Sequence, residues 1–176
     1  MATLVPPSHP ALHAIAEEVP HEDITTPAIQ KVLKDMRVAL RSYRAEGFIG
    51  VAIAAPQIGV PLRIFLVEDM SEEQAEEPRL PTLVAINPTL VKVSRKRALS
   101  SEGCLSVPDC YGHVERSTHA TLRAYDERGE AYERGAGGLL AQIFQHEVDH
   151  LDGILFTDRA DQVFHKKDSL AEDLVA

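Results

Sequence analysis

The stretch "QHEVDHLDG", residues 145–153, places His146 and His150 four positions apart and sets Glu147 directly after the first histidine. Residues i and i+4 of an α-helix lie about one turn apart on the same face, so the two imidazoles can bind one metal ion. A carboxylate beside that ion can take a proton from water and deliver it to a leaving group. The spacing therefore predicts a helix that carries a metal site and its acid–base group. The alternative is that both histidines are ordinary core residues.

The faces of this helix follow from a turn of about 100° per residue, starting after Gly137 and Gly138. The ligand-bearing face, with Glu147 at its edge, holds Leu139, Ile143, His146 and His150. The two other faces are an apolar set, Leu140, Phe144, Val148 and Leu151, and a polar set, Gln142, Gln145, Asp149 and Asp152. Because two of the three faces are apolar or ligand-bearing, we expect this helix to be largely buried at the centre of the fold.

The rest of the chain indicates one more helix and a set of short strands. Thr26 as N-cap and Pro27 in the first turn begin a helix that we expect to end at Gly47. Apolar or alternating runs predict strands at residues 62–67, 82–86, 90–94 and 119–126. Residues 68–81, "EDMSEEQAEEPRLP", are typical of an exposed acidic loop. These elements predict an α+β fold in which antiparallel strands pack around the buried central helix and the N-terminal helix lies outside.

The composition is typical of one globular domain. The chain has 176 residues, 44% of them hydrophobic, and a net charge of -9, which argues against nucleic acid as a ligand. We expect a single domain over residues 1–176, with residues 160–176 as a C-terminal tail. The N-terminus lacks the basic flank and apolar run of a signal peptide, and no stretch reaches the roughly 18 apolar residues of a membrane span. We therefore expect a cytosolic chain that does not interact with a membrane.

The two cysteines, Cys104 and Cys110, bear on the missing third metal ligand. In a reducing compartment they are expected as thiols or ligands, with a disulfide across "CLSVPDC" as the alternative. Zinc proteases of the extended type continue HExxHxxGxxH, but Phe156 stands where their third histidine would be. The residues after Phe156 are too few for a substantial later helix with an acidic ligand. We therefore expect the ligand upstream, where Cys104 is the candidate and a buried small hydrophobic residue is the alternative.

Three motifs together resemble the signature motifs of peptide deformylases and occur in the order typical of that family. They are "GVAIAAPQIG" at 50–59, "EGCLSVP" at 102–108 and "QHEVDHLDG" at 145–153. The resemblance covers roughly residues 4 to 160, and three linked motifs are far more specific than any one of them. It implies a metal-dependent hydrolase that removes the N-formyl group from the N-terminal formyl-methionine of newly made polypeptides and releases formate.

The resemblance also implies a role for individual residues. One divalent ion would be held by Cys104, His146 and His150, with ferrous iron as the expected ion and zinc, nickel or cobalt able to replace it. Glu147 would be the general base and acid. The side-chain amide of Gln57 and the backbone N–H of Leu105 would stabilise the oxyanion, donors worth about 3 to 4 kcal/mol each in comparable sites. The substrate, an N-formyl-methionyl nascent peptide, would contact Val51, Ala52, Gly103, Leu139 and Ile143.

The chain departs from the family pattern at three places. Ala52 stands where a second glycine is usual, and we expect its φ to be negative because "GVAIAAPQ" is typical of an extended segment. Tyr111 stands near a position that is often basic. The residues from 157 to 176 carry three Lys or Arg against five Asp or Glu, which argues against ribosome docking through this tail.

Two alternatives belong to other functional classes. One is a zinc peptidase, which the absence of a downstream ligand disfavours. The other is a catalytically silent member of the same fold that binds a metal or a partner. Such a member would be expected to lack Glu147 or Gln57, and this chain has both.

Overall fold

The computed structural model describes residues 3–43, 50–68 and 80–165. Within these ranges the chain forms two antiparallel sheets around one buried helix, as the sequence predicts. The five-stranded sheet has the order β1-β2-β3-β6-β7, formed by β1 (Ala52–Ala54), β2 (Ile64–Val67), β3 (Leu83–Val93), β6 (His119–Tyr125) and β7 (Ala131–Gly137). The three-stranded sheet has the order β4-β5-β8, formed by β4 (Arg97–Cys104), β5 (Val107–Ser117) and β8 (Gln162–His165). The helices are α1 (Pro27–Ser42), α2 (Gly138–Leu151) and the single turn α3 (Phe156–Arg159), with 3-10 turns at Pro10–Leu12, His21–Asp23 and Ala55–Ile58.

Helix α1 begins as predicted, with Thr26 at the N-cap and Pro27 in the first turn. Its buried residues form an apolar stripe at helical spacing, which includes Ile29, Leu33, Met36 and Leu40. The helix ends at Ser42 and so is shorter than expected. The predicted end at Gly47 lies outside the described residues, as does most of the predicted acidic loop at 68–81.

The two long helices cover opposite faces of the five-stranded sheet. In β2, Ile64 and Leu66 pack in the cluster that contains α1, whereas Phe65 and Val67 pack in the cluster that contains α2. Successive side chains of a strand point to opposite faces, so a strand covered on both sides is apolar throughout. This is why "IFLV" is a continuous apolar run. Helix α1 covers the outer face of the sheet, whereas α2 covers the other face and is central.

Two predicted strands, at 82–86 and 90–94, are a single strand, β3, with an irregular region between Ile86 and Thr89. Asn87 adopts a φ of 52° there. Its side chain accepts a hydrogen bond from the Val19 backbone N–H and donates one to the Val19 carbonyl, both at 2.8 Å. The Asn87 amide thus holds the N-terminal segment at Val19 against the irregular region.

The strands β4, β5, β7 and β8 have no counterpart among the predicted strands. In β5 the inward-facing positions are Cys110, Gly112, Val114 and Arg116. Of these four, only Val114 is a β-branched residue of the kind that indicates a strand. The alternation of buried and exposed positions is therefore present in the structure but cannot be recognised from the residue types.

Helix α2 is buried more completely than its sequence suggests, because the polar face is covered as well. Gln145 and Asp149 are 8% and 7% exposed. The Gln145 side chain accepts a hydrogen bond from the Ser117 backbone N–H and donates to the Ser117 and Ala141 carbonyls. The three-stranded sheet therefore covers the face opposite the large sheet. Leu139, at the start of the ligand-bearing face, is instead 53% exposed.

The end of α2 is placed by Gly153. It has a φ of +74°, and a Cβ there would lie 2.9 Å from the backbone of His13 and of Ala14. Glycine is the residue that accepts both the left-handed conformation and so close a backbone. The N-terminal segment is thereby held against the end of the helix, where the Ala16 N–H donates to the Leu151 carbonyl. No helix among the described residues has both the length and the apolar character needed to cross a membrane.

Candidate active site

The three predicted metal ligands come together from two elements. Cys104 is the last residue of β4, directly before the turn into β5, and His146 and His150 lie one turn apart on α2. One ligand atom from each residue lies within 4.8 Å of the other two. Cys104 and Cys110 are both free thiols, so the disulfide alternative is excluded in this structure.

Hydrogen bonds orient both imidazoles toward the thiol. His146 Nδ1 lies 2.9 Å from Glu102 Oε2, which leaves Nε2 for a ligand. His150 Nε2 lies 3.1 Å from Cys104 Sγ. Phe156, which occupies the place of a third histidine in extended zinc proteases, stacks on the His146 ring instead. A thiolate with two imidazoles suits zinc and other first-row metals, so these residues fit a divalent ion.

The charge at Cys104 is also suited to a metal ligand. Burial would raise the pKa of the thiol, but the charge of His150 and the hydrogen bonds from His146 and His150 outweigh it, so the pKa lies well below its usual value. The thiolate is the form that binds metal.

A buried ion-pair network that the sequence did not reveal supports the cluster. The Arg116 guanidinium donates to Glu102 Oε1 at 2.7 Å, to Glu102 Oε2 at 2.9 Å and to Asp149 Oδ2 at 2.6 Å. Burial would raise the pKa of Glu102, but Arg116 and His146 lower it to about 2. Glu102 therefore stays ionised and holds His146 in one tautomer. The sequence "EGC" places Glu102 two residues before Cys104, and this closeness is the signal that could have identified Glu102. No local pattern indicated Arg116.

Glu147 is the predicted acid–base group, and it is buried without a full set of partners. It is 4% exposed, and its Oε2 has no hydrogen-bond partner among the described residues. Burial raises its pKa to about 7, although His146 and His150 partly offset this. Buried carboxylate oxygens are almost always hydrogen-bonded, so this one is suited to a molecule that enters the site.

Gln57 is held so that its N–H₂ group faces the cluster. Its Oε1 accepts a hydrogen bond from the Ala54 backbone N–H at 2.8 Å. Its Nε2 donates to Ser106 Oγ at 3.1 Å and lies 3.5 Å from Cys104 Sγ. Ser106, which the sequence analysis did not single out, is 1% exposed, and its own N–H points at Cys104 Sγ at 3.4 Å. Leu105, in the same turn, is buried.

A cavity of about 230 Å³ connects these groups. Its walls are β1 and the residues before it, the end of β4, and the ligand-bearing face of α2. All five residues predicted to contact substrate line it, namely Val51, Ala52, Gly103, Leu139 and Ile143. Among the described residues only Asn87 and Asp109 combine a side chain with a positive φ, so the expectation that the φ of Ala52 is not positive is confirmed.

The fold and the site define a protein in which a thiol at the end of β4 and two imidazoles of an HExxH helix form a cluster that could hold a metal, beside a cavity between two strand edges. The family model for polypeptide deformylase matches residues 1–166, and the chain belongs to this family. The family is metal-dependent, and Cys104, His146 and His150 form the cluster that could hold the ion.

Curated relatives agree with this assignment. The chain is 37% identical to peptide deformylase 1A, chloroplastic, of Solanum lycopersicum over 100% of its own length and 66% of that protein. It is 40% identical to the chloroplastic/mitochondrial enzyme 1A of Arabidopsis thaliana over 89% of this chain and 60% of that one. It thus spans about two thirds or less of these plant relatives. For the peptide deformylase of Desulforudis audaxviator the identity is 39%, over 81% of this chain and 84% of that protein.

Solved structures agree as well. A class I type b peptide deformylase from Acinetobacter baumannii with bound Met-Ala-Ser superposes with a TM-score of 0.78 at 32% identity, over 89% of this chain and 96% of that one. The peptide deformylase of Thermotoga maritima gives a TM-score of 0.77 at 28% identity, over 92% and 99%.

Proposed function

We propose that this chain removes the N-formyl group from the N-terminal formyl-methionine of newly made polypeptides and releases formate. The observation that carries this proposal is the buried Glu147 carboxylate beside the Cys104, His146 and His150 cluster, at the wall of the cavity. That arrangement provides an acid–base group next to a site for a Lewis acid, which is what hydrolysis of an amide requires. Membership of the polypeptide deformylase family supports the choice of the formyl amide as substrate.

The three ligands would hold one divalent ion, for which we propose ferrous iron, with zinc, nickel or cobalt able to replace it. When bound, the ion supplies a Lewis acid that polarises the formyl carbonyl and makes the attacking water more acidic. A thiolate ligand on ferrous iron is exposed to oxidation, so we expect activity to decay in air and to last longer with nickel. Equal lifetimes of the iron-loaded and nickel-loaded protein would remove the case for iron.

Glu147 would take the proton from the attacking water and deliver it to the leaving amine. Its position supports both steps, because it follows a metal ligand in sequence and lines the cavity. Asp149, the other carboxylate on this part of α2, is bound to Arg116 and Arg159. It therefore cannot serve as the base.

Gln57 and the backbone N–H of Leu105 would donate to the oxygen of the formyl group as negative charge develops on it. Donors already held in place cost no reorganisation during the reaction, and each is worth about 3 to 4 kcal/mol in comparable sites. The hydrogen bond from Ala54 to Gln57 Oε1 supports this role, because it prevents the amide from turning its oxygen toward the cluster. Ser106 supports it from the other side.

The peptide would lie as an added strand between the edge strands β1 and β4, near Val51 and Gly103. β1 is at one end of the five-stranded sheet and β4 at one end of the three-stranded sheet, and both border the cavity. Pairing through the main chain gives affinity without reading side chains. The methionine side chain would contact Val51, Leu139 and Ile143, with Leu139 at the solvent-exposed mouth.

The test is release of formate from formyl-Met-Ala-Ser, measured beside the acetylated and the unmodified peptide. We expect turnover of the formylated peptide alone. Cleavage of an internal peptide bond would indicate a peptidase. A protein that holds one equivalent of metal and releases no formate would be the catalytically silent alternative.

Cellular location and partners beyond the nascent peptide stay predictions. The expected cytosolic location is untested, and the names of the plant relatives place those proteins in chloroplasts or mitochondria. The expectation that the tail does not dock on the ribosome concerns residues 157–176, of which 166–176 lie outside the described ranges.

A further inference from the structure

The open edge of β4 offers two backbone positions to a peptide in the cavity. Strands β4 and β5 pair in regular antiparallel register from Arg97 to Gly103, with Ser101 opposite His113 and Gly103 opposite Tyr111. In such a ladder the N–H and C=O of one residue point to the same side, and those of the next residue point to the other. Ser101 and Gly103 therefore present their backbone groups to the same side, with a spacing that matches alternate residues of an added strand.

One of these two positions is already occupied. Gln142, a residue of the polar set of α2 that also lines the cavity, donates a hydrogen bond from Nε2 to the Ser101 carbonyl at 2.9 Å. Gln142, Ser101 and Gly103 all line the cavity, so the Ser101 carbonyl faces α2 rather than β5. An incoming peptide that pairs with Gly103 would reach Ser101 with the residue two positions further along its chain. The N–H of that residue would meet a Ser101 carbonyl that already accepts a hydrogen bond from Gln142.

We propose that Gln142 limits the length of peptide backbone that the site pairs, and so makes binding depend on the first residues of the substrate. This inference rests on the proposed function. A peptide N–H that approaches the Ser101 carbonyl competes with the Gln142 amide for this acceptor, and the exchange of one hydrogen bond for another adds little net affinity. Such a limit suits an enzyme whose substrates share only their formyl-methionine end.

The test uses two variants and a series of peptides. Gln142→Met keeps the length of the side chain and removes the donor, whereas Gln142→Ala removes both. Each protein is assayed with C-terminally amidated formyl peptides of two to five residues. At one point in the series, the addition of one residue to the peptide should lower KM of both variants about two- to tenfold, which is the size of one net hydrogen bond. The same addition should change KM of the native protein by less than about twofold.

A modified peptide separates this effect from a change in cavity shape. N-methylation of the residue added at the responsive step removes its N–H, so it should abolish the gain in both variants and leave the native protein unaffected. A shift of KM by the same factor at every peptide length would overturn the proposal, because it would indicate altered packing. A gain at that step in the native protein that the variants lose would also overturn it.

The same series can be measured without turnover. Affinities of the deformylated Met-peptides, determined by calorimetry on the metal-loaded proteins, should show the same length dependence. If the native protein binds these peptides but releases no formate from any formyl peptide, the proposed function fails while the role of Gln142 is still decided by the binding series.

Discussion

At the scale of single residues, the site depends on which atom each side chain presents. Glu102 accepts from His146 Nδ1 and thereby leaves Nε2 for the proposed ion. The Ala54 N–H occupies Gln57 Oε1 and thereby leaves the amide N–H₂ group for the proposed oxyanion. Each contact selects one orientation of a side chain that could otherwise flip. A side chain held in this way needs little reorganisation free energy during the reaction.

Cys104→Ala should abolish tight metal binding. The change removes the thiolate and leaves two imidazoles, which hold a hydrated ion weakly. Metal analysis of the anaerobically purified variant checks this, with Cys110→Ala as the matched control because Cys110 is the other buried thiol. One full equivalent of metal in the Cys104 variant would place the third ligand elsewhere.

Glu147→Gln should keep the metal and lose most of its turnover. The amide can still hydrogen-bond to water but cannot accept its proton. Since Glu147 would act in two proton transfers, we expect kcat to fall by at least about 10²-fold, the lower end for such groups. The assay is formate release at equal metal content. A variant within about tenfold of the native protein would assign the base to another group.

Ala52→Gly should raise kcat/KM for the formyl peptide without raising stability. Ala52 has no positive φ, so its methyl group narrows the cavity rather than straining the backbone. Glycine adds entropy to the unfolded chain, and the melting temperature should stay level or fall slightly. Calorimetry and steady-state kinetics on the same preparation decide the matter. A higher melting temperature with no kinetic gain would show that the alanine carries strain after all.

At the scale of elements, α2 is held between the two sheets by contacts of different kinds. The large sheet contacts its apolar face, including Phe144 and Leu151. The small sheet contacts its polar face through Arg116, which reaches from β5 to Asp149 on α2 and to Glu102 on β4. One guanidinium therefore joins three elements at the site, and its loss would leave Glu102 with His146 alone and Asp149 with Arg159 alone.

Arg116→Ala should destabilise the fold by about 3 to 5 kcal/mol, the usual result of removing one partner of a buried ion pair. Urea unfolding measures the change. Arg97→Ala is the matched control, because the pair of Arg97 with Glu115 on the same two strands is more than half exposed on both sides. An exposed pair contributes at most about 1 kcal/mol. Equal effects of the two substitutions would mean that burial of the Arg116 network contributes nothing.

At the scale of the whole molecule, the proposed metal ligands belong to β4 of the small sheet and to the central helix, so a bound ion would join these two elements. An ion that binds the folded chain alone stabilises it by mass action, by about 2.7 kcal/mol when its free concentration is one hundred times the dissociation constant. Metal binding should therefore raise the stability of the entire fold and not only of the site.

Removal of the ion with a chelator should lower the melting temperature of the native protein, and readdition of the metal should restore it. Differential scanning calorimetry checks this on the same sample. The Cys104→Ala variant provides the control, because a protein that does not retain the ion should not respond to the chelator. A native protein whose melting temperature is independent of chelator would show that the folded chain gains nothing from the ion.

The sequence alone was enough to predict the elements whose signals are local. The N-cap at Thr26, the apolar stripe of α1 and the continuous apolar run of β2 all follow from a repeat within a few residues. The strands β4 and β5 could not be predicted in this way. Their inward positions include Gly112 and Arg116, which are accepted only because a neighbouring chain segment or a buried carboxylate meets them.

Within the site the same division holds, for a physical reason. The helix with His146, Glu147 and His150 was determined by the sequence itself, because a helical repeat sets the relative positions of residues three or four apart. The placement of Cys104 against that helix was decided only by the tertiary structure, as were the tautomer-setting contact of Glu102 and the approach of Gln57 to Cys104. These contacts join residues more than 40 positions apart in the chain. Their geometry depends on sheet register and on the packing of both sheets against α2, which no local pattern encodes.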